Sequence, residues 1–94
     1  MIEIKFTGRY YRGLEKLLSQ NSEYRDLVDD LVSLFRKKPQ DTRLNIHPLK
    51  RRLTGKWAIS VDNDVRIVFE WKGNYRVRFL AIDRHSEIYK KENI

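Results

Sequence analysis

The chain predicts an α+β fold. An N-terminal strand and an antiparallel two-helix hairpin pack on one face of a mainly antiparallel β-sheet meander. Three observations carry this expectation. Residues 2–6 alternate apolar and polar with a period of two. Apolar positions then recur at helical spacing as far as Pro39. From Trp57 onward the period returns to two, in three runs separated by Asp62-Asn63-Asp64 and Lys72-Gly73-Asn74, both of them turn sequences.

Ile2, Ile4 and Phe6 line one side of the first strand. Thr7 is placed to cap a first helix carrying Tyr10, Tyr11, Leu14, Leu17 and Leu18, in which Gly13 is a weak point. Asn21 or Ser22 caps a second helix, and Glu23 and Asp26 fall in its first turn, where the helix dipole favours acids. Tyr24, Leu27, Val28, Leu31, Val32, Leu34 and Phe35 form its apolar stripe, and Pro39 stops it. Ser19 to Ser22 leave room only for a tight connection between the helices. Residues 40–55 suit a loop, with Leu44 to Ile46 as a brief strand.

In the meander, one side holds Trp57, Ile59, Val61, Val65, Ile67, Phe69, Trp71, Tyr75, Val77, Phe79 and Ala81, and the helices cover it. The other side then carries Lys56, Ala58, Ser60, Arg66, Val68, Glu70, Arg76, Arg78, Leu80 and Ile82, a partly cationic surface on a rigid support. Leu27, Val28, Leu31, Ile59, Ile67, Phe69, Val77 and Phe79 are the expected core.

Ninety-four residues fit a single domain, 1–94. No apolar run is long enough to span a membrane, and the start lacks the apolar stretch of a secretory signal, so a cytoplasmic location is expected. Without cysteine, the chain has no disulfide, thiolate nucleophile or cysteine-ligated zinc. Twenty Lys and Arg against 13 Asp and Glu give a formal charge of +7, which suits an anionic partner, whether nucleic acid or an acidic protein.

The chemistry-bearing residues gather in two stretches. His47 is followed by Lys50, Arg51 and Arg52, and His85 is preceded by Arg84 and followed by Tyr89. Imidazole exchanges protons near neutral pH and serves as base or acid. RNA supplies its own nucleophile, the 2′-hydroxyl. Cleavage needs in-line placement, a base at that hydroxyl, an acid at the 5′-oxygen and cations on the phosphorane. Lys50, Arg66 and Arg84 are candidate cations, with Arg51, Arg76 and Arg78 as further phosphate contacts, and the Tyr89 ring can stack on a base. His47 beside Pro48 equally suits a turn, His85 a strand end, and Tyr89 a packing role. His85 with Asp83 and Glu87 lacks a metal-site spacing, so neither metal nor cofactor is expected. There is no glycine-rich phosphate loop and no serine elbow.

The segments HPLKRRLTGKWAISV (His47 to Val61), DVRIVF (Asp64 to Phe69) and HSEIY (His85 to Tyr89) occur in an order that resembles the RelE/ParE superfamily, toxins of type II toxin–antitoxin modules. The resemblance spans essentially the whole chain and is nearest to YafQ-like and RelE-like members. It implies a ribosome-dependent mRNA endoribonuclease working without metal, a cognate acidic antitoxin and an oligomeric toxin–antitoxin complex. By position it makes His85 the catalytic histidine, Tyr89 the C-terminal aromatic, His47 the histidine before Pro-Leu, Arg66 the strand arginine and Asp64 a catalytic aspartate. YafQ-like toxins carry a further histidine where this chain has Ser60. The ParE branch, which poisons DNA gyrase without cutting RNA, is the alternative, and a non-catalytic toxin homologue is another.

Overall fold

The computed structural model describes residues 1–90. Strand β1 (Glu3–Phe6) leads into helix α1 (Gly8–Gln20), and three residues join α1 to α2 (Tyr24–Lys37). Two 3-10 turns, Thr42–Leu44 and Arg51–Leu53, flank a two-residue strand β2 (His47–Pro48). Strands β3 (Trp57–Ser60), β4 (Val65–Trp71) and β5 (Arg76–Arg84) follow, and a single-turn helix α3 (His85–Ile88) continues from β5. The five strands form one sheet in the order β1-β5-β4-β3-β2, with β1 parallel to β5 and every other pair antiparallel.

Thr7 ends β1 and starts α1 with one hydroxyl. Its Oγ1 donates to the Phe79 carbonyl at 2.8 Å and accepts from the Tyr10 N–H at 3.2 Å. The expected cap is therefore present, and it also ties the helix to β5. Gly13 has a packing reason: a Cβ there would stand 2.5 Å from the Ile82 carbonyl oxygen, so α1 lies directly on β5. At α2, the Asn21 side chain accepts from the Glu23 N–H, and Glu23 occupies the cap position without a side-chain bond of its own.

The core between the helices and the sheet contains Tyr10, Val28, Phe35, Leu44, Ile59, Ile67, Phe69, Val77 and Phe79. Phe35, fully buried, meets the rings of Phe69 and Phe79 at 5.1 and 5.8 Å between centroids. Burying one such side chain stabilises by about 1.5–3 kcal/mol. Leu31 is half-buried, while Leu27 is 38% exposed, because it falls at the edge of the helical arc that faces the sheet. Trp71 at the end of β4 and Tyr75 just before β5 are also exposed. Leu44 to Ile46 is not a strand. Asp41 caps a 3-10 turn by accepting from the Arg43 N–H, and Asn45 ends it in the left-handed region at φ 47°.

A bulge redirects the end of β5. Val68 pairs with Ala81 and Phe69 with Phe79, so Leu80 has no opposite number. Beyond it the faces exchange: Ile82 joins the helix-side core, and Ala81 turns to the other side. Strict alternation assigned these two residues the other way round. The far side is not simply wet either. Leu49, Leu53, Ala58, Val68, Ala81 and Ile88 form a second apolar cluster there, with Leu80 packed against it.

Candidate active site

The second cluster assembles the site. The strands contribute Ala58, Val68 and Ala81, small enough for other elements to settle on them. The second 3-10 turn sits there through Leu53, and α3 through Ile88. The basic segment 50–52 and the tail from His85 to Tyr89 are thereby held against one sheet surface, although 34 residues separate His85 from Arg51 in sequence. Arg51, Arg52, Leu53 and Tyr89 line a common cleft. Arg51 adopts a left-handed backbone, φ 59°, which costs a non-glycine residue about 1–3 kcal/mol and marks a constrained turn.

His85 opens α3 with its side chain exposed. Its ring lies 5.7 Å from that of Tyr89, at an interplanar angle of 55°. The His85 N–H donates to the Asp64 carbonyl at 2.6 Å, so the β3–β4 turn fixes where the imidazole begins. That turn is itself braced. Asp62 accepts from the Asp64 and Val65 N–H groups at 2.9 and 2.7 Å and from the Tyr24 hydroxyl at 2.5 Å. Burial raises the Asp62 carboxyl, but the bonds from Tyr24, Val65 and Asp64 and the nearby Arg66 charge outweigh it and hold the group below its ordinary value. The same bond pushes the Tyr24 hydroxyl up.

Arg66 lies on the side of the sheet away from the helices, opposite Ser60 on β3 and Asp83 on β5. Its Nη1 donates to the Asp62 and Val65 carbonyls at 2.5 and 3.1 Å. Asp64 turns its carboxylate onto Arg84, which also donates to Gln20 at 3.2 Å. The Asp64 carboxylate raises the Arg84 guanidinium further. Asp64 thus holds the backbone under His85 and pairs with an arginine.

His47 is apart from this group. Its Nδ1 lies 3.0 Å from the Asn45 carbonyl, and its backbone pairs with Ala58. From His47 through Ala58 and Val68 to Ala81 are three inter-strand steps, and His85 is four residues further on. At about 4.8 Å per strand and 3.3 Å per residue the two histidines stand on the order of 20 Å apart. The structure does not bring them together. Arg76 and Arg78 are at the opposite end of β5, roughly 20–30 Å from His85 along the strand, beside Lys5 and Lys72. Arg78 pairs with Glu70 at 3.3 Å.

Arg52, expected only as a basic neighbour of His47, lines the cleft. Three contributors escaped the sequence reading: Leu49 and Leu53 bury at an i, i+4 spacing inside a basic stretch, and Tyr24 braces the turn from α2. The leucine spacing was the one visible signal. Among the described residues no three His, Asp or Glu side chains converge as metal ligands, and no helix is long and apolar enough to cross a membrane.

No family model and no curated protein sequence matches the chain. Solved structures do. YafQ from E. coli superposes with a TM-score of 0.77 at 16% identity, covering 95% of this chain and 99% of that one. A YoeB/ParE toxin from Agrobacterium tumefaciens gives 0.74 at 18%, covering 89% and 99%. YafQ in the E. coli DinJ–YafQ complex gives 0.75 at 18%, covering 95% and 99%. The chain therefore has, over nearly its whole length, the α+β fold of the RelE-like toxins.

Proposed function

We propose that the chain is the toxin of a type II toxin–antitoxin module and an endoribonuclease that cuts mRNA on the ribosome. The observation that carries this reading is the exposed His85 imidazole, beside the Tyr89 ring and next to a cleft walled by Arg51 and Arg52. In the reaction the 2′-hydroxyl attacks phosphorus and loses its proton, and the bond to the 5′-oxygen breaks. That oxygen takes up a proton, leaving a 2′,3′-cyclic phosphate. His85 handles one of the two proton transfers, worth about 10²–10⁴-fold in rate. Arg51, Arg52 and the neighbouring Lys50 offset charge on the phosphorane, and Tyr89 stacks on a base. Arg66 and Asp64 support the turn beneath His85. His47, Arg76 and Arg78 act outside the reacting centre, and Arg84 reaches phosphate only by giving up Asp64.

The E. coli YafQ structure in complex with DinJ supports an antitoxin as the partner here, and the +7 charge makes an acidic one the better fit. Primer extension on cellular mRNA after induction tests the reading. Internal cuts in translated message are expected. Intact message accompanied by DNA damage would favour the gyrase-directed alternative.

A further inference from the structure

A second cationic groove lies on the other flank of α3. Arg9, Arg12 and Lys16 project from α1 along one wall, and Leu17, Ile82 and Ile88 form its apolar part. Ile88 borders this groove, while Tyr89, one residue on, borders the cleft of Arg51 and Arg52. The His85 helix therefore stands between two cationic depressions. The α1 cations follow an i, i+3, i+7 spacing on one helical face and extend over about 10 Å of helix. Arg12 and Lys16 are exposed and have no ion-pair partner among the described residues. Among the described residues Asp83 contributes the one carboxylate of the groove and has interactions of its own, so the described wall keeps an excess of positive charge.

We propose that this groove is a second phosphate subsite: a single-stranded RNA crosses α3, its backbone held on one side by Arg51 and Arg52 and on the other by Arg12 and Lys16, with Arg9 behind them. The inference rests on the nuclease reading and deepens it by giving the strand a path. Two anchors on either side of His85 fix the scissile phosphate in line better than one, because a strand held at a single point pivots. The apolar part of the groove accommodates ribose and base faces.

The test is the salt dependence of binding of a short 2′-O-methyl oligonucleotide, which cannot be cut, to the purified chain. Each phosphate neutralised on a single strand contributes about −0.7 to the slope of log K against log salt. The double variant Arg12→Ala/Lys16→Ala should bind more weakly and flatten the slope by about 1.4. Arg51→Ala/Arg52→Ala is the comparison on the other flank and should flatten it similarly. All four side chains are exposed, and unchanged circular dichroism melting confirms that each variant folds. If the parent binds and the Arg51/Arg52 variant flattens the slope while the Arg12/Lys16 variant does not, the α1 groove is no RNA subsite and the nuclease reading survives. If the parent binds no oligonucleotide, both fail. If the Arg12/Lys16 variant loses binding to poly-glutamate but not to RNA, the groove serves an acidic protein and the proposal is overturned.

Discussion

Gly13→Ala tests how α1 places the end of β5. In an exposed helix the change should stabilise by about 1 kcal/mol, the difference in helix propensity. Here the new Cβ would lie 2.5 Å from the Ile82 carbonyl oxygen and 3.3 Å from its Cγ2. The closer obstacle is backbone in a strand hydrogen-bonded to β4, so it cannot swing aside as a side-chain tip would. Forcing such a shift typically costs 1–3 kcal/mol, and more at this separation, leaving a net loss of about 1–2 kcal/mol. For a chain of this size that lowers Tm by roughly 5–15 °C. Gly8→Ala is the control, since its Cβ meets only the flexible Arg12 guanidinium at 3.2 Å and should shift Tm little. Thermal unfolding followed by circular dichroism distinguishes the two. A Gly13→Ala protein as stable as the parent, or more so, would refute the close approach of α1 to β5.

Ile88→Ala should lower stability by about 2–4 kcal/mol in urea unfolding, and cleavage with it, because Ile88 is the anchor of α3 in the second cluster; an unchanged midpoint and rate would mean that α3 is held some other way. Asp64→Asn keeps the carbonyl that receives the His85 N–H and removes only the charge facing Arg84. It should cost under about 1 kcal/mol and reduce cleavage far less than loss of His85, whereas an equal loss would make Asp64 catalytic. Tyr24→Phe should raise the Asp62 pKa in an NMR titration. Because the folded-state value of Asp62 is depressed, the stability tied to it is present above the unfolded value near 3.9 and lost as pH falls through the folded one. The variant should therefore be less stable than the parent at neutral pH, with the gap closing in acid. A gap that is constant with pH would rule out this linkage.

The two long helices and the three strands of the meander were legible because each buries one side of a regular repeat: period two for Ile59, Ile67 and Phe79, helical for Val28 and Phe35. The exchange of Ala81 and Ile82 was not, since a bulge depends on which strand lies alongside, and no repeat within β5 announces Leu80 as the extra residue. The 40–55 segment hid for a different reason. Leu44, Leu49 and Leu53 bury singly among basic and polar neighbours, without a periodic run. That the His85 and Tyr89 rings lie near each other follows from their spacing of four residues across a single helical turn. Sheet order then decided the rest. It put β4 and β5 between β1 and β3 and left His47 on the far edge strand, while Arg76 and Arg78 lie at the start of β5 and His85 follows its end. The contacts of Asp64 and Arg66, with Arg84 and with the carbonyls of the β3–β4 turn, depend on how that turn folds and on side chains up to 20 residues away.

In the proposed reaction His85 transfers a proton during RNA cleavage. Its most direct test is single-turnover cleavage of message on purified ribosomes by the parent and by His85→Ala, with circular dichroism confirming that both are folded. The parent should cut, and the folded variant should cut about 10²–10⁴-fold more slowly. A folded His85→Ala protein that cuts at the parental rate would contradict it.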